Sequence, residues 1–406
     1  MKTKDNKIIA SSIIFIVLMG LVSMMSDMTH EGAKSIYGSF LGIVGATPKI
    51  ISIISGLGEF IGCSLILITG IIANKTKKYW TMTIIGYMIN LLAIPALALT
   101  GPNGWIYACS LILVERIGKA IRKPAKNTLV SFSSKNLGEG KSFAFVEFLD
   151  QIGAFIGPLI LTLVLYLKDT TDIFESYKTC FLVLAIPALI TLIILFIARA
   201  KYPKPDSLER EEVVADNIEN KSVLKSRAFI YYLIAIGLCA FSFVDFPLIA
   251  YHVGSLNLFE VQNLPMLYSL AMLVDAFAAL LFGMLFDKIA FKSLILSTLC
   301  SFMFPLFIFV ATNKLMVFIG VAFWGIGIGS QESILKSAVA KLIGKNKRSL
   351  GFGLFEGVFG LCWFLGSLVL GLLYEFSLTF LIWLCIVAQL LSIMFYVLSI
   401  KNNKLV

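Results

Sequence analysis

The distribution of apolar residues constrains this chain more than any other feature. Twelve apolar runs follow one another, separated by shorter polar segments. A helix that crosses the hydrocarbon core of a bilayer needs about 20 apolar residues, and within lipid only a helix can satisfy the backbone of such a run. The runs predict an all-α membrane protein with twelve transmembrane helices. They lie at roughly 8–28, 48–73, 79–100, 104–121, 146–167, 177–198, 228–252, 264–286, 292–312, 315–340, 352–374 and 377–399.

The composition excludes a soluble protein and argues against an enzyme. Of the 406 residues, 58% are hydrophobic and 14% are charged, whereas soluble domains carry about 25% charged residues. The chain contains no phosphate-binding glycine loop, no G-x-S-x-G and no H-E-x-x-H, so neither ATP coupling nor hydrolysis is indicated. The seven cysteines lie singly in different apolar runs. We therefore expect no cofactor, no metal centre and no disulfide.

The basic residues predict the orientation in the membrane. Most of the 34 Lys and Arg residues fall in the segments that share a side with the N-terminus. Cytoplasmic loops carry such an excess, so we predict a protein of the cytoplasmic membrane with both termini inside. The net charge of +10 is spread over many segments, which indicates a lipid bilayer rather than a nucleic acid as partner. Lys34, Lys49, Lys168, Lys178 and Lys314 are predicted to be external, and Arg116 and Lys336 fall within apolar runs.

A short phrase occurs twice, about half a chain apart. Gly70, Asn74 and Lys75 recur as Gly283, Asp287 and Lys288, each time at the end of an apolar run and before a basic turn. The longest polar segment, with two prolines and a mixed-charge run, lies between the two copies. These features predict two pseudo-symmetric six-helix halves at 1–198 and 228–406, joined by a cytoplasmic linker at 199–227. Parallel repeats of this kind are typical of transporters that bind their substrate between the halves.

The two phrases resemble the loop motif of the major facilitator superfamily, and the resemblance covers essentially the whole chain. In that family the acid of the motif latches the end of a neighbouring helix and stabilises the outward-facing state. Asp287 matches the acid, whereas the first copy has Asn74 there. Gly153-x-x-x-Gly157-Pro158 resembles the antiporter motif of the same superfamily, although close helix packing alone also uses small residues at this spacing.

Four further patterns resemble a poorly characterised prokaryotic subgroup of that superfamily. The resemblance implies a transporter and names no substrate. The patterns are Asp27-x-x-His30-Glu31-Gly32-Ala33, the run from Glu115 to Ala125, Glu147-x-x-Asp150-Gln151 and Gln331-Glu332-Ser333.

Ionisable residues at membrane depth are the candidates for transport and coupling, because they are costly there and usually functional. They are Asp27, His30, Glu31, Glu59, Glu115, Arg116, Asp245, Asp275 and Glu332. Each also has a structural interpretation. The face formed by Asp27, His30 and Glu31 could carry a cation or a proton, or could be a solvated face near the outer end of the first helix. Glu332 could form a local pair with Lys336.

Four further charged residues also have alternative interpretations. Glu115 and Arg116 are adjacent, so their side chains point about 100° apart on a helix; they could belong to a structural network, or bind an anion or relay a proton. Glu59 and Asp275 have no partner in the neighbouring sequence, which suits a carboxylate that loads and releases protons.

We therefore expect a secondary active transporter that works by alternating access and exports a small solute in exchange for protons. Its partners would be a small-molecule or ion substrate, a coupling proton or other cation, and the lipid bilayer, and we expect a monomer. Two alternatives stay open. One is a divalent metal-ion exporter that uses Asp27, His30 and Glu31, and the other is a membrane sensor or scaffold that transports nothing.

Overall fold

Helices make up nearly all of the computed structural model, which describes residues 2–134, 139–168, 172–204, 226–342 and 348–402, and no strand occurs within those ranges. The helices are α1 (Lys2–Ile43), α2 (Pro48–Thr76), α3 (Tyr79–Ala96), α4 (Trp105–Ser134), α5 (Glu139–Leu167), α6 (Ile173–Val183), α7 (Ala185–Lys201), α8 (Arg227–Phe241), α9 (Phe246–Ser255), α10 (Leu264–Ile289), α11 (Lys292–Ser301), α12 (Phe304–Ile308), α13 (Lys314–Leu342), α14 (Arg348–Phe376) and α15 (Leu378–Asn402).

The helices agree with the twelve predicted transmembrane segments. Within the described residues, ten helical stretches are long and apolar enough to cross a membrane, and α11 with α12 forms a shorter apolar helix at Lys292–Ile308. The remaining predicted segment is α4, which carries more charge. The all-α prediction is therefore confirmed. The predicted linker at 199–227 lies mostly outside the described residues, and the division into six-helix domains stays a prediction.

Two helices are longer than the apolar runs that predicted them. The first apolar run ends near residue 28, but α1 continues to Ile43; the fourth ends near residue 121, but α4 continues to Ser134. In both cases the added turns contain polar side chains that are buried against other helices. A hydropathy pattern assigns such residues to loops, so both helix ends were predicted too early.

Contacts between Cα atoms divide the chain into two compact units, Met1–Lys34 with Leu65–Ala215, and Ser35–Ser64 with Asp216–Val406. In the first unit, glycines bring helix backbones together. A Cβ on Gly86 of α3 would lie 2.6 Å from the backbone nitrogen of Arg122 on α4, and one on Gly118 would overlap the backbone of Asn90. Aromatic and aliphatic side chains such as Phe15, Trp80 and Leu195 fill the rest of its core.

The second unit contains a helix that is interrupted in the middle. α8 ends at Phe241 and α9 begins at Phe246, and the residues between them are buried. The Asp245 carboxylate caps α9 by accepting a hydrogen bond from the backbone N–H of Phe246 at 2.9 Å. The indole N–H of Trp324 on α13 donates to the carbonyl oxygen of Val244 at 2.8 Å. Side-chain groups thus satisfy backbone atoms that an intact helix would have paired.

Candidate functional site

A fully buried histidine lies between two carboxylates in the first unit. His30 of α1 has its Nδ1 2.8 Å from an oxygen of Glu115 on α4, and its Nε2 3.5 Å from an oxygen of Glu31. His30 and Glu115 are both completely excluded from solvent, whereas Glu31 is partly exposed. The imidazole is therefore the bridge between a buried carboxylate and a more accessible one.

Two further side chains hold the Glu115 carboxylate in place. Asn90 of α3 donates from its amide nitrogen to Glu115 twice, to a carboxylate oxygen and to the backbone carbonyl at 3.2 Å. Arg116 has its Nε 3.5 Å from the second carboxylate oxygen. Asn90 reaches this position because Gly118 has no side chain where the backbones of α3 and α4 meet. We refer to His30, Glu31, Asn90, Glu115 and Arg116 as the His30 cluster.

The helix-five glycines bring α5 against α1 beside this cluster. A Cβ on Gly153 would overlap the carbonyl oxygen of Met24, and one on Gly157 would overlap that of Met28. Pro158 follows within α5. The motif therefore contributes close packing at the helix that carries His30.

A second group of charges lies on the adjacent turns of α4. The Nη2 of Arg122 lies 3.8 Å from a carboxylate oxygen of Asp27 on α1. The guanidinium stacks on Tyr87, with its Cζ 4.3 Å from the ring centroid. Lys126, one turn further, hydrogen-bonds through its ammonium to the hydroxyl of Ser23. Both cations are more than nine-tenths buried.

These contacts correct two expectations from the sequence and agree with one alternative for a third. Asp27, His30 and Glu31 lie in the middle of α1 and not near its outer end, because the helix continues to Ile43. Glu115 and Arg116 are paired, as the structural alternative expected, because the long arginine side chain can turn back towards its neighbour. The apolar run that predicts α4 ends near residue 121, whereas Arg122 and Lys126 are buried residues of the same helix.

The candidates of the second unit do not assemble in the same way. Asp245 caps α9, as described above. Asp275 of α10 is buried where Gly329 of α13 packs on it. Glu332 is exposed, and the ion pair of Lys336 is formed with Glu356 of α14 at 3.9 Å rather than with Glu332. Glu59 is half-buried on α2.

Sequence reasoning missed Asn90 and gave Gln331 no role of its own. Asn90 was missed because a single asparagine within an apolar run carries no pattern; its burial between glycine-packed helices is a tertiary feature. Gln331 of α13 is buried, and within the described part of the chain neither its amide oxygen nor its amide nitrogen has a hydrogen-bond partner.

The described residues contain no group of three or more His, Cys, Asp or Glu side chains placed to hold a metal ion. His30 and Glu31 face each other, but Asp27 points to Arg122 and the second nitrogen of His30 faces Glu115. The three side chains proposed for a metal site are therefore engaged with different partners.

The family model of the Major Facilitator Superfamily matches residues 8–274 and 246–404. The chain belongs to the Major Facilitator Superfamily. An uncharacterized protein of Mycobacterium tuberculosis is 32% identical over 387 residues, which cover 93% of this chain and 91% of that protein. An uncharacterized transporter of the same superfamily from Methanocaldococcus jannaschii is 27% identical over 376 residues, 89% of each chain.

A solved structure of a D-xylose–proton symporter superposes with a TM-score of 0.70 at 12% identity and covers 98% of both chains. This likeness concerns the fold. The family match identifies a multi-pass membrane transporter rather than an enzyme.

The two loop motifs of the Major Facilitator Superfamily end α2 and α10. Asn74 accepts a hydrogen bond from the ammonium of Lys77 at 2.9 Å, and Lys77 has a positive φ of 55°. Asp287 is exposed on the last turn of α10 and has no hydrogen bond or ion pair with the described residues. The side chains of residues 348–350, at the start of α14, are not among those that the structure describes. The latch by Asp287 stays a prediction.

Proposed function

We propose that this transporter is a secondary active exporter that works by alternating access and exchanges protons for a small solute, with His30 carrying the proton. The observation that carries the proposal is the position of the buried imidazole between two carboxylates. A carboxylate accepts hydrogen bonds, and a neutral imidazole has one nitrogen that donates and one that accepts. The two ring nitrogens face carboxylate oxygens at ion-pair distances, and only the protonated ring places an N–H and a positive charge towards both of them.

Loss of the proton would change the energy of this arrangement. One ring nitrogen would then present a lone pair to a carboxylate in a site shielded from water, where an unpaired polar group is costly. Glu115 is held by Asn90 and Arg116, whereas Glu31 is partly exposed. Glu31 is therefore the side chain through which we expect the proton to leave.

The charge balance of the cluster favours exchange over co-transport. With His30 protonated, the four ionisable side chains His30, Glu31, Glu115 and Arg116 sum to zero. Without that proton they carry one negative charge, which a positively charged group of the solute can balance. Proton and solute would then replace each other, and the resemblance of the helix-five glycines to an antiporter motif supports the same direction.

Packing at the ends of α1 and α2 supports alternating access. Ser35–Ser64 clusters with the second half of the chain, where Gly38 packs on Pro247 and Gly56 on Ser367. The hydroxyl of Ser52 also donates to the carbonyl oxygen of Ser367. With the orientation predicted from the basic residues, these contacts would close the external side.

The test is proton flux driven by solute in proteoliposomes. The purified chain is reconstituted with a pH dye in the lumen, and a panel of small solutes is added with and without a pH gradient. We expect His30→Gln and Glu115→Gln to lose at least tenfold in coupled flux. His252→Gln, which changes the other histidine of the chain, is the matched control. Full gradient-driven flux in His30→Gln would refute His30 as the carrier.

Glu59 and Asp275 are the second part of the coupling proposal. Asp275 is buried on α10, and Glu59 is half-buried on α2; both have interaction partners. We expect Glu59→Gln or Asp275→Asn to reduce gradient-driven flux more than the amount of folded protein. Wild-type flux in both variants would exclude them from coupling, and absence of any solute flux from every variant and the wild type would favour a sensor or scaffold.

A further inference from the structure

The turns of α4 beyond the His30 cluster bury two cations that are poorly neutralised. Arg122 is 4% exposed and Lys126 is 8% exposed. A buried charge is costly unless it is paired and hydrogen-bonded. Arg122 has one ion pair, with Asp27 at a long 3.8 Å. Lys126 bonds to the Ser23 hydroxyl, and no carboxylate of the described residues lies at ion-pair distance from its ammonium.

The packing around Arg122 orients its side chain without neutralising it. The guanidinium stacks on the ring of Tyr87, and the missing side chain of Gly86 brings α3 close enough for that contact. The Nε of Arg122 is buried and has no hydrogen-bond partner within the described part of the chain. A guanidinium presents a planar fork of donors that matches a carboxylate. Arg122 therefore retains unused donors in a fixed orientation.

Two carboxylates lie near these cations without pairing closely to them. Asp27 is 16% exposed at its side chain. Asp150 of α5 interacts electrostatically with both Lys126 and Arg122, yet forms no ion pair among the described residues, and one of its carboxylate oxygens has no hydrogen-bond partner. The Nε of Arg122 and one carboxylate oxygen of Asp150 are thus a buried donor and a buried acceptor without hydrogen-bond partners among the described residues.

We propose that Arg122, Lys126, Asp27 and Asp150 bind a small solute that carries a carboxylate and an amine and has no net charge. Its carboxylate would lie on Arg122 and Lys126, and its amine on Asp27 and Asp150. A solute with both groups gives each pair of side chains a partner, whereas a simple anion would engage only the two cations and a simple cation only the two carboxylates. This inference names the solute class of the proposed exchanger and rests on that function.

The position of the site couples it to His30. Asp27 precedes His30 by three residues, so the two side chains are neighbours on one face of α1. An amine bound at Asp27 adds a positive charge about one helical turn from the imidazole, and it repels the protonated ring. The repulsion has the sign that exchange of proton and solute requires.

Equilibrium binding tests this proposal without any gradient. The full chain in lipid nanodiscs is titrated by calorimetry, and its melting temperature is followed in parallel. The probes are glycine, 4-aminobutyrate and 6-aminohexanoate, in which the charges are progressively further apart, with butyrate and butylamine as analogues that carry one charge. We expect at least one amino acid to bind saturably, and both single-charge analogues to bind at least tenfold more weakly.

Variants assign each charge of the solute to its partner. We expect Arg122→Gln and Lys126→Gln to abolish the preference for the amino acid over butylamine, and Asp150→Asn to abolish the preference over butyrate. Lys123→Gln, which changes an exposed cation between the two on the same helix, should bind like the wild type.

If the glutamine variants fail to fold, Arg122→Lys and Lys126→Arg keep the charge but change the donor geometry. Amino-acid affinity should then fall while butylamine affinity does not.

Three results would overturn the inference. They are an absence of amino-acid binding to the wild type, equal binding of butyrate or butylamine, and unchanged amino-acid affinity in the variants of Arg122 and Lys126. Binding is measured without a pH gradient, so it is separable from the proposed exchange. Amino-acid binding without proton flux would refute the proposed exchange and support the binding site. Proton flux driven by other solutes would support the exchange and refute the binding site.

Discussion

Gly38 of α1 packs so closely on Pro247 at the start of α9 that a Cβ at position 38 would overlap the Pro247 carbonyl oxygen. One turn further, a Cβ on Gly42 would lie 2.8 Å from the ring of Tyr251. The C-terminal part of α1 therefore meets α9 along a closely packed seam. Packing this close requires glycine at positions 38 and 42, because a Cβ at either position would overlap α9.

The first prediction follows from this seam. Gly38→Ala should weaken the packed arrangement by about 1–3 kcal/mol, the usual effect of overpacking. A change of about 1.4 kcal/mol shifts a two-state population roughly tenfold, here towards a state open on the predicted external side. Spin labels at Thr47 and Asn257 should move apart. Gly62→Ala, where an added Cβ meets nothing within 4 Å, is the control and should leave the distances unchanged.

The second prediction uses a native cysteine to lock two helices. A Cβ on Gly360 of α14 would lie 2.7 Å from the Cβ of Cys63 on α2. Disulfides need Cβ atoms about 3.5–4.5 Å apart, so a shift of about 1 Å would allow one. Gly360→Cys should form a disulfide with Cys63 under mild oxidation and stop transport until a reductant is added.

The control for the disulfide is Gly360→Cys in a chain that also carries Cys63→Ser. That protein should keep its transport activity on oxidation. Equal inhibition of both proteins would mean that the loss of transport comes from overpacking at position 360 and not from a bond between α2 and α14.

The sequence predicted the helices of this chain better than it predicted their ends and contacts. Apolar runs locate a helix wherever its surface faces lipid, because each residue contributes to the pattern. They failed beyond Met28 in α1 and beyond Ile121 in α4, where polar residues are buried against other helices. The approach of Asn90 to Glu115 depends on two glycines on different helices, and no local pattern contains that information.

The third prediction concerns the interruption between α8 and α9. The Trp324 indole donates to the carbonyl of Val244 at 2.8 Å, and leaving a buried carbonyl without a partner costs about 1–3 kcal/mol. Trp324→Phe should therefore lower the melting temperature and speed amide hydrogen exchange at 242–246. Trp383→Phe removes an indole that is 60% exposed on α15 and serves as the control. Unchanged exchange at 242–246 in Trp324→Phe would contradict this role.

The fourth prediction concerns orientation, which the excess of basic residues on one side implies. A cysteine introduced at Lys314 should react with a membrane-impermeant thiol reagent in intact cells, and one at Lys78 should react only after the membrane is opened. The unsubstituted protein, whose seven cysteines are free thiols, gives the background. Labelling of position 78 from outside would reverse the assignment of the two sides.

The fifth prediction concerns the two loop motifs, in which Asn74 of the first copy corresponds to Asp287 of the second. Asp287 has the acid that latches a helix end in the Major Facilitator Superfamily, whereas Asn74 offers an amide that already accepts from Lys77. An acid at a helix N-terminus contributes about 0.3–1 kcal/mol, and up to about 2 kcal/mol when partly buried. Asp287→Asn should shift the population towards the inward-facing state by up to about thirtyfold, and Asn74→Asp should shift it the other way. Labels at Thr47 and Asn257 should approach in the first variant and separate in the second, and unchanged distances in both would make these segments ordinary turns.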